Sequence, residues 1–79
     1  MGSSMESRAA LFDTSQPGIR QLQSWIRSRS NLALQLLDGT TLTGVPRWVD
    51  ADYLALEPAS GGELVLVNRQ AIALLRPLV

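Results

Sequence analysis

A mainly β domain with one N-terminal α-helix is the fold this sequence predicts, its five strands making a strongly bent antiparallel sheet curled into a partly open barrel. Three observations predict it. The hydrophobic period is helical up to about Ser28 and alternating from Asn31 onward, which separates a helix from the strands after it. Asp38-Gly39 lies between two alternating runs, and such a pair can take the positive φ angles of a type I′ hairpin turn. Gly44 falls inside the second run, where a glycine marks a sharp bend or a close backbone approach of the kind that small barrels need.

Each element has its own local signal. Asp13, Thr14 and Ser15 precede Pro17, a capping side chain followed by a first-turn proline, so a helix is expected from about Ser15 to Ser28. At helical spacing Ile19, Leu22, Trp25 and Ile26 share one arc while Arg20 and Arg27 point the opposite way, which reads Trp25 as a core anchor. Leu32, Leu34 and Leu36 then alternate with Ala33, Gln35 and Leu37 as the first strand. The second covers about 40–49, and Pro46 within it cannot donate to a ladder, so it calls for an edge or a bulge. A third strand at about 52–57 ends before Pro58, the Ser60-Gly61-Gly62 turn comes next, and the last two strands are expected at 63–68 and 71–76.

Seventy-nine residues make one domain, and a chain this short rarely buries enough apolar surface to stand without a staple. The sequence has no cysteine and no histidine, so disulfides are excluded and a structural transition-metal site is not expected. Oligomerisation is the staple that remains. No apolar stretch approaches the roughly 20 residues of a membrane span, and a soluble cytoplasmic protein without membrane insertion is expected. Residues 1–12, which open with MGSS, read as a disordered N-terminal segment or a vector-derived remnant, leaving 13–79 as the domain.

The same composition narrows the chemistry. Without histidine or cysteine there is no imidazole base and no thiolate nucleophile. Asp50 and Asp52 stand two apart near a turn and are read as turn chemistry, and Gly61-Gly62 has no following lysine or helix to cradle a phosphate. No enzyme and no cofactor are expected. The net charge is zero and all seven basic residues are arginine. A zero net charge denies the chain a bulk field for indiscriminate nucleic-acid binding, so any such contact has to be local. Periodicity alone leaves SH3-like and OB-like barrels open among others.

A resemblance narrows the choice. Leu36, Asp38-Gly39, Leu42, Gly44 and Asp50 match the first Sm motif, although bacterial Hfq usually has Asn-Gly at the turn; Asn68, Arg69, Gln70, Ala71 and Ile72 match the second. The segments FDTSQP, residues 12–17, and IRQLQ, residues 19–23, are similar to the N-terminal part of cyanobacterial members. The chain thus resembles the Sm fold in its bacterial Hfq form over about residues 13–77, and especially the cyanobacterial branch.

That resemblance implies an N-terminal helix on five bent strands, and a homo-oligomeric ring, hexameric in Hfq, closed by pairing strand four of one subunit with strand five of the next. It implies a riboregulator or RNA chaperone that binds single-stranded RNA, U-rich or A-rich. Asn68, Arg69 and Gln70 would line the pore on the helix-bearing face, with Trp48 and Gln16 nearby, and Arg27 and Arg29 would guide RNA over the rim. Arg69 could instead pair with Glu57 or Glu63. On the opposite face Gln35, Thr40 and Thr41 stand where the family's aromatic platform would be. Losing an aromatic platform forfeits about 1–3 kcal/mol per base, so RNA affinity below that of a typical Hfq is expected. The alternative is a ring kept as a protein-interaction scaffold with little RNA binding, its partner a protein of some larger cellular machine.

Overall fold

The structure, a computed structural model, describes residues 16–78. The expectations for residues 1–12 and for Asp13, Thr14 and Ser15 lie outside the described residues. Helix α1 spans Pro17–Ser28, followed by β1 at Leu32–Leu36, β2 at Thr41–Val49, β3 at Tyr53–Pro58, β4 at Val65–Asn68 and β5 at Ile72–Pro77, with a 3-10 turn at Arg69–Ala71 between the last two. The helix therefore starts two residues later than expected: Pro17 takes the first turn, and Gln16 stands at the N-cap with no side-chain capping bond. Ile19 and Leu22 are buried and Trp25 and Ile26 pack against the core, as their spacing required.

All five strands form one sheet in the order β4-β3-β2-β1-β5. Every adjacent pair is antiparallel. The sheet does not close on itself, so β4 and β5 are its two edges. Leu32, Leu34, Leu54 and Leu56 are fully buried and with Val67 and Leu22 make the core.

The bend in β2 comes from the residues that foretold it. Gly44 pairs with Leu32 on β1 and with Pro58 on β3, so this glycine is where β2 hands over from one partner to the other. A β-bulge follows at Arg47, where the register with β3 shifts between Pro46 and Trp48. Pro46 is nearly fully buried at that bulge. Beyond Gly44 the strand no longer pairs with β1, and a residue without an N–H is tolerated there.

Two expectations change in detail. The hairpin at Asp38-Gly39 is not type I′: Gly39 N donates to Leu36 O at 2.9 Å, and only Gly39, at φ 93, has a positive φ there. Three loop residues separate Leu36 from Thr40, a length that favours a turn with negative φ at Leu37 and Asp38 and a left-handed glycine after them. Strand β4 begins at Val65 rather than 63, because its ladder with β3 ends at Leu56↔Val65, where β3 runs out into Pro58.

Candidate nucleic-acid interface

The Asn68–Gln70 turn is built by its own side chains and by a loop distant in sequence. Asn68 Oδ1 accepts the Gln70 N–H at 2.8 Å, which shapes the 3-10 turn. Arg69 N donates to Asp52 O at 2.8 Å. The Arg69 guanidinium donates through Nη1 to the carbonyls of Asp50 at 2.8 Å and Ala51 at 3.3 Å. Asp50 in turn uses its Oδ1 to accept the N–H groups of Asp52 at 2.9 Å and Tyr53 at 2.7 Å. The acid is therefore turn chemistry, as expected. Arg69, however, does not pair with Glu57, whose carboxylate accepts from Arg47 Nη1 at 2.8 Å; its Nη1 clamps the β2–β3 turn through main-chain oxygens.

A groove of about 360 Å³ on the helix side brings Gln16 and Arg69 together, walled by Ile19 and Leu22 of α1 and by Ile72 to Leu75 of β5. Two of the five residues expected at the pore thus share one cleft. On the outer surface of the helix, Arg20, Gln23, Ser24 and Arg27 lie along one depression; residues seven apart return to nearly the same side of a helix, about 10 Å on. Arg29 is not among these lining residues. It occupies the helix C-cap with left-handed backbone, φ 56 and ψ 43, while Arg29 N reaches Ile26 O at 3.2 Å and Ser30 N reaches Trp25 O at 3.0 Å, the bond pair of a Schellman end.

Trp48 stands apart from that cleft. The bulge at Arg47 resets the alternation, so Trp48 pairs with Ala55 and is 42% exposed. Tyr53 is two residues from Ala55 on the same face and 40% exposed, within diagonal reach of Trp48. Asn68 pairs with Tyr53 across β4, so it adjoins this aromatic pair while its side chain also shapes the 3-10 turn.

On the face of the sheet away from the helix, Gln35 pairs with Thr41 on one side and with Leu74 on the other. Thr40 belongs to the hairpin turn, its N–H donating to Asp38 Oδ1 at 2.9 Å. That bond holds the Asp38 carboxyl below its ordinary pKa. So Gln35 and Thr41 share a surface and Thr40 is engaged in the turn.

The sequence profile of the Hfq-related family matches residues 16–77. This chain belongs to the Hfq-related family. Among solved structures, an Hfq protein from Anabaena sp. is 31% identical with a TM-score of 0.69, over 78% of this chain and 97% of that one. The pleiotropic translational regulator Hfq gives a TM-score of 0.70 over 76% of this chain and 97% of its own at 18% identity, a likeness of fold. No protein of curated function matches the chain significantly.

As an Hfq-related chain it carries positions outside the reach of the motifs. Arg20 shares the helix depression with Arg27, a relation its spacing of seven could have shown. Tyr53 lies within diagonal reach of Trp48, but only the register across the bulge reveals it. Arg76 lies beside Ala33 on the open face, outside both Sm motifs.

Proposed function

We propose that this chain assembles into a closed ring of like subunits, six in the manner of Hfq, that binds single-stranded U-rich or A-rich RNA in the cytoplasm with less affinity than a typical Hfq. One observation carries the reading. The two bare edges, β4 and β5, are joined to each other by the Asn68–Ala71 turn, so pairing β4 of one subunit with β5 of the next repeats Arg69 and Gln70 around a common axis. Leu64, Val65, Leu66 and Leu74 on or beside those edges are exposed large apolar residues, a surface that asks for a partner.

A second reading has its own support. Arg69 turns its Nη1 to the carbonyls of Asp50 and Ala51, and the net charge is zero, which fits a ring kept as a protein-interaction scaffold. Titrating the parent ring, Arg69→Ala and Arg27→Ala with short U-rich and A-rich RNA at two salt concentrations separates the two. Binding that weakens most with Arg69→Ala supports the pore; weakening with Arg27→Ala alone moves the site to the helix face. No binding by the parent at low salt hands the function to the scaffold reading.

A further inference from the structure

The Asp38 carboxyl, at the tip of the β1–β2 hairpin, has no part in the function proposed above. Residues 37–40 are all exposed. The Thr40 N–H donates to Asp38 Oδ1 at 2.9 Å, a bond that folds the carboxyl back along the peptide joining Asp38 to Gly39. Gly39 has φ +93, and no atom stands within 4 Å of where a Cβ would be. Neither a side chain nor packing therefore screens the Gly39 nitrogen from that carboxyl. The Gly39 N–H is spent on Leu36 O at 2.9 Å. One local opening of the exposed turn frees it.

We propose that Asp38-Gly39 is a site of spontaneous backbone isomerisation, which converts Asp38 to isoaspartate and releases the hairpin from the Asn68–Ala71 turn. The Gly39 nitrogen attacks Cγ of the protonated Asp38 carboxyl. A C–N bond forms, and the carboxyl hydroxyl departs as water with the proton that the nitrogen gives up, leaving a cyclic imide. Water then adds to the former main-chain carbonyl and breaks its bond to the Gly39 nitrogen. The chain now runs through Cβ and Cγ, one carbon longer, with no change in mass and nothing oxidised or reduced. Two reacting groups already held side by side lose little further freedom in meeting. Asp50 is an internal comparison: its Oδ1 accepts the Asp52 and Tyr53 N–H groups, so its carboxyl is folded back in the same way. The residue that follows it is Ala51, whose Cβ crowds the nitrogen where Gly39 has none. The effect reaches beyond the loop. Leu36 N donates to Thr40 O and Leu37 N to Ala71 O, both at 2.8 Å, and a loop one carbon longer no longer fits between these bonds.

The test holds the folded parent, Asp38→Asn and Asp38→Glu for weeks at neutral pH beside fresh samples. Each is digested with a protease that cuts before aspartate but not before isoaspartate, and isoaspartyl carboxyls are measured by enzymatic methylation with a labelled methyl donor. The held parent should lose cleavage before residue 38, gain methylation there, keep cleavage before Asp50, and show faster hydrogen exchange at the Leu37 amide. Asp38→Asn reaches the same imide by losing ammonia and should become methylatable several-fold faster. Asp38→Glu would need a larger ring and should stay unmethylated. Full cleavage before Asp38 in the held folded parent, when the urea-unfolded chain loses it, means that the hairpin protects the site and overturns the proposal. Equal loss before Asp50 overturns it too, because glycine would not be the cause. Isoaspartate at 38 with Leu37 exchange unchanged overturns the release of the hairpin.

Discussion

The main-chain carbonyl of Glu57 lies directly over Gly44: a Cβ built on the glycine would stand 2.9 Å from the carbonyl carbon and closer still to its oxygen. No rotamer relieves a clash between a Cβ and a neighbouring backbone, so β2 and β3 would have to part where β2 changes partners. Gly44→Val should cost about 3 kcal/mol or more. Gly62 has open space around it but sits at φ +104, so Gly62→Ala should cost about 1–2 kcal/mol from backbone strain alone. Urea unfolding of both variants checks the order, and equal stabilities would count against a close approach at Gly44.

Arg69→Ala should lower stability by about 1–2 kcal/mol before any RNA is added, because it removes the clamp on the carbonyls of Asp50 and Ala51. Both bonds leave one nitrogen, Nη1, and an ammonium also carries several donors, so Arg69→Lys should unfold between Arg69→Ala and the parent. A melting temperature for Arg69→Ala equal to the parent's would show that the turn holds itself.

Arg29 occupies a left-handed cap that glycine fills without strain. Arg29→Gly should therefore leave stability unchanged or raise it by up to about 1 kcal/mol, while removing a rim cation. Thermal melting and RNA titration of that one variant report the two effects separately.

Hydrogen exchange offers a test of edge pairing. In a single subunit the outward N–H groups of β4 and β5 have no partner in the sheet, because both strands are edges. In the assembled ring the amides of 65–68 and 72–76 should all exchange slowly, and dilution into monomer should release about half of them. Fast exchange along either edge in a species that light scattering shows to be oligomeric would mean that assembly uses another surface.

The Asp38 carboxyl, held below its ordinary pKa by the Thr40 N–H, should make the parent more acid-sensitive than Asp38→Asn. A depressed carboxylate contributes stability above its unfolded pKa and loses it as pH falls through the folded one. The gap in melting temperature between parent and variant should then shift in favour of Asp38→Asn as pH is lowered from about 6 to 3. A constant gap would place the turn's stability elsewhere.

What the sequence disclosed was steric and local. Pro46 and Asp50 act on the backbone beside them, Gly44 acts through the Cβ it lacks against the main chain of Glu57, and each does what its type demands. The hairpin type was not legible because Asp38-Gly39 fits two loop lengths, and only pairing of Leu36 with Thr40 chooses between them. The Arg69 clamp joins groups nineteen residues apart in sequence, beyond the reach of periodicity. Trp48 was singled out by the resemblance as a neighbour of the Asn68–Gln70 turn, but the bulge at Arg47 decides which residues stand beside it.

Strand β1 is flanked by β2 and by β5, and Leu34 meets Leu75 near the far end of the chain. During synthesis α1 and the β1–β2–β3 meander can form from near neighbours, while the outer side of β1 waits for the last strand, because a long loop must close before that pairing can form. A nascent chain halted before Ile72 would show β1 as a bare edge of the wrong identity. Arrival of β5 thus acts as a checkpoint: only a subunit in which β5 has docked hides β1 and leaves β4 and β5 as its edges.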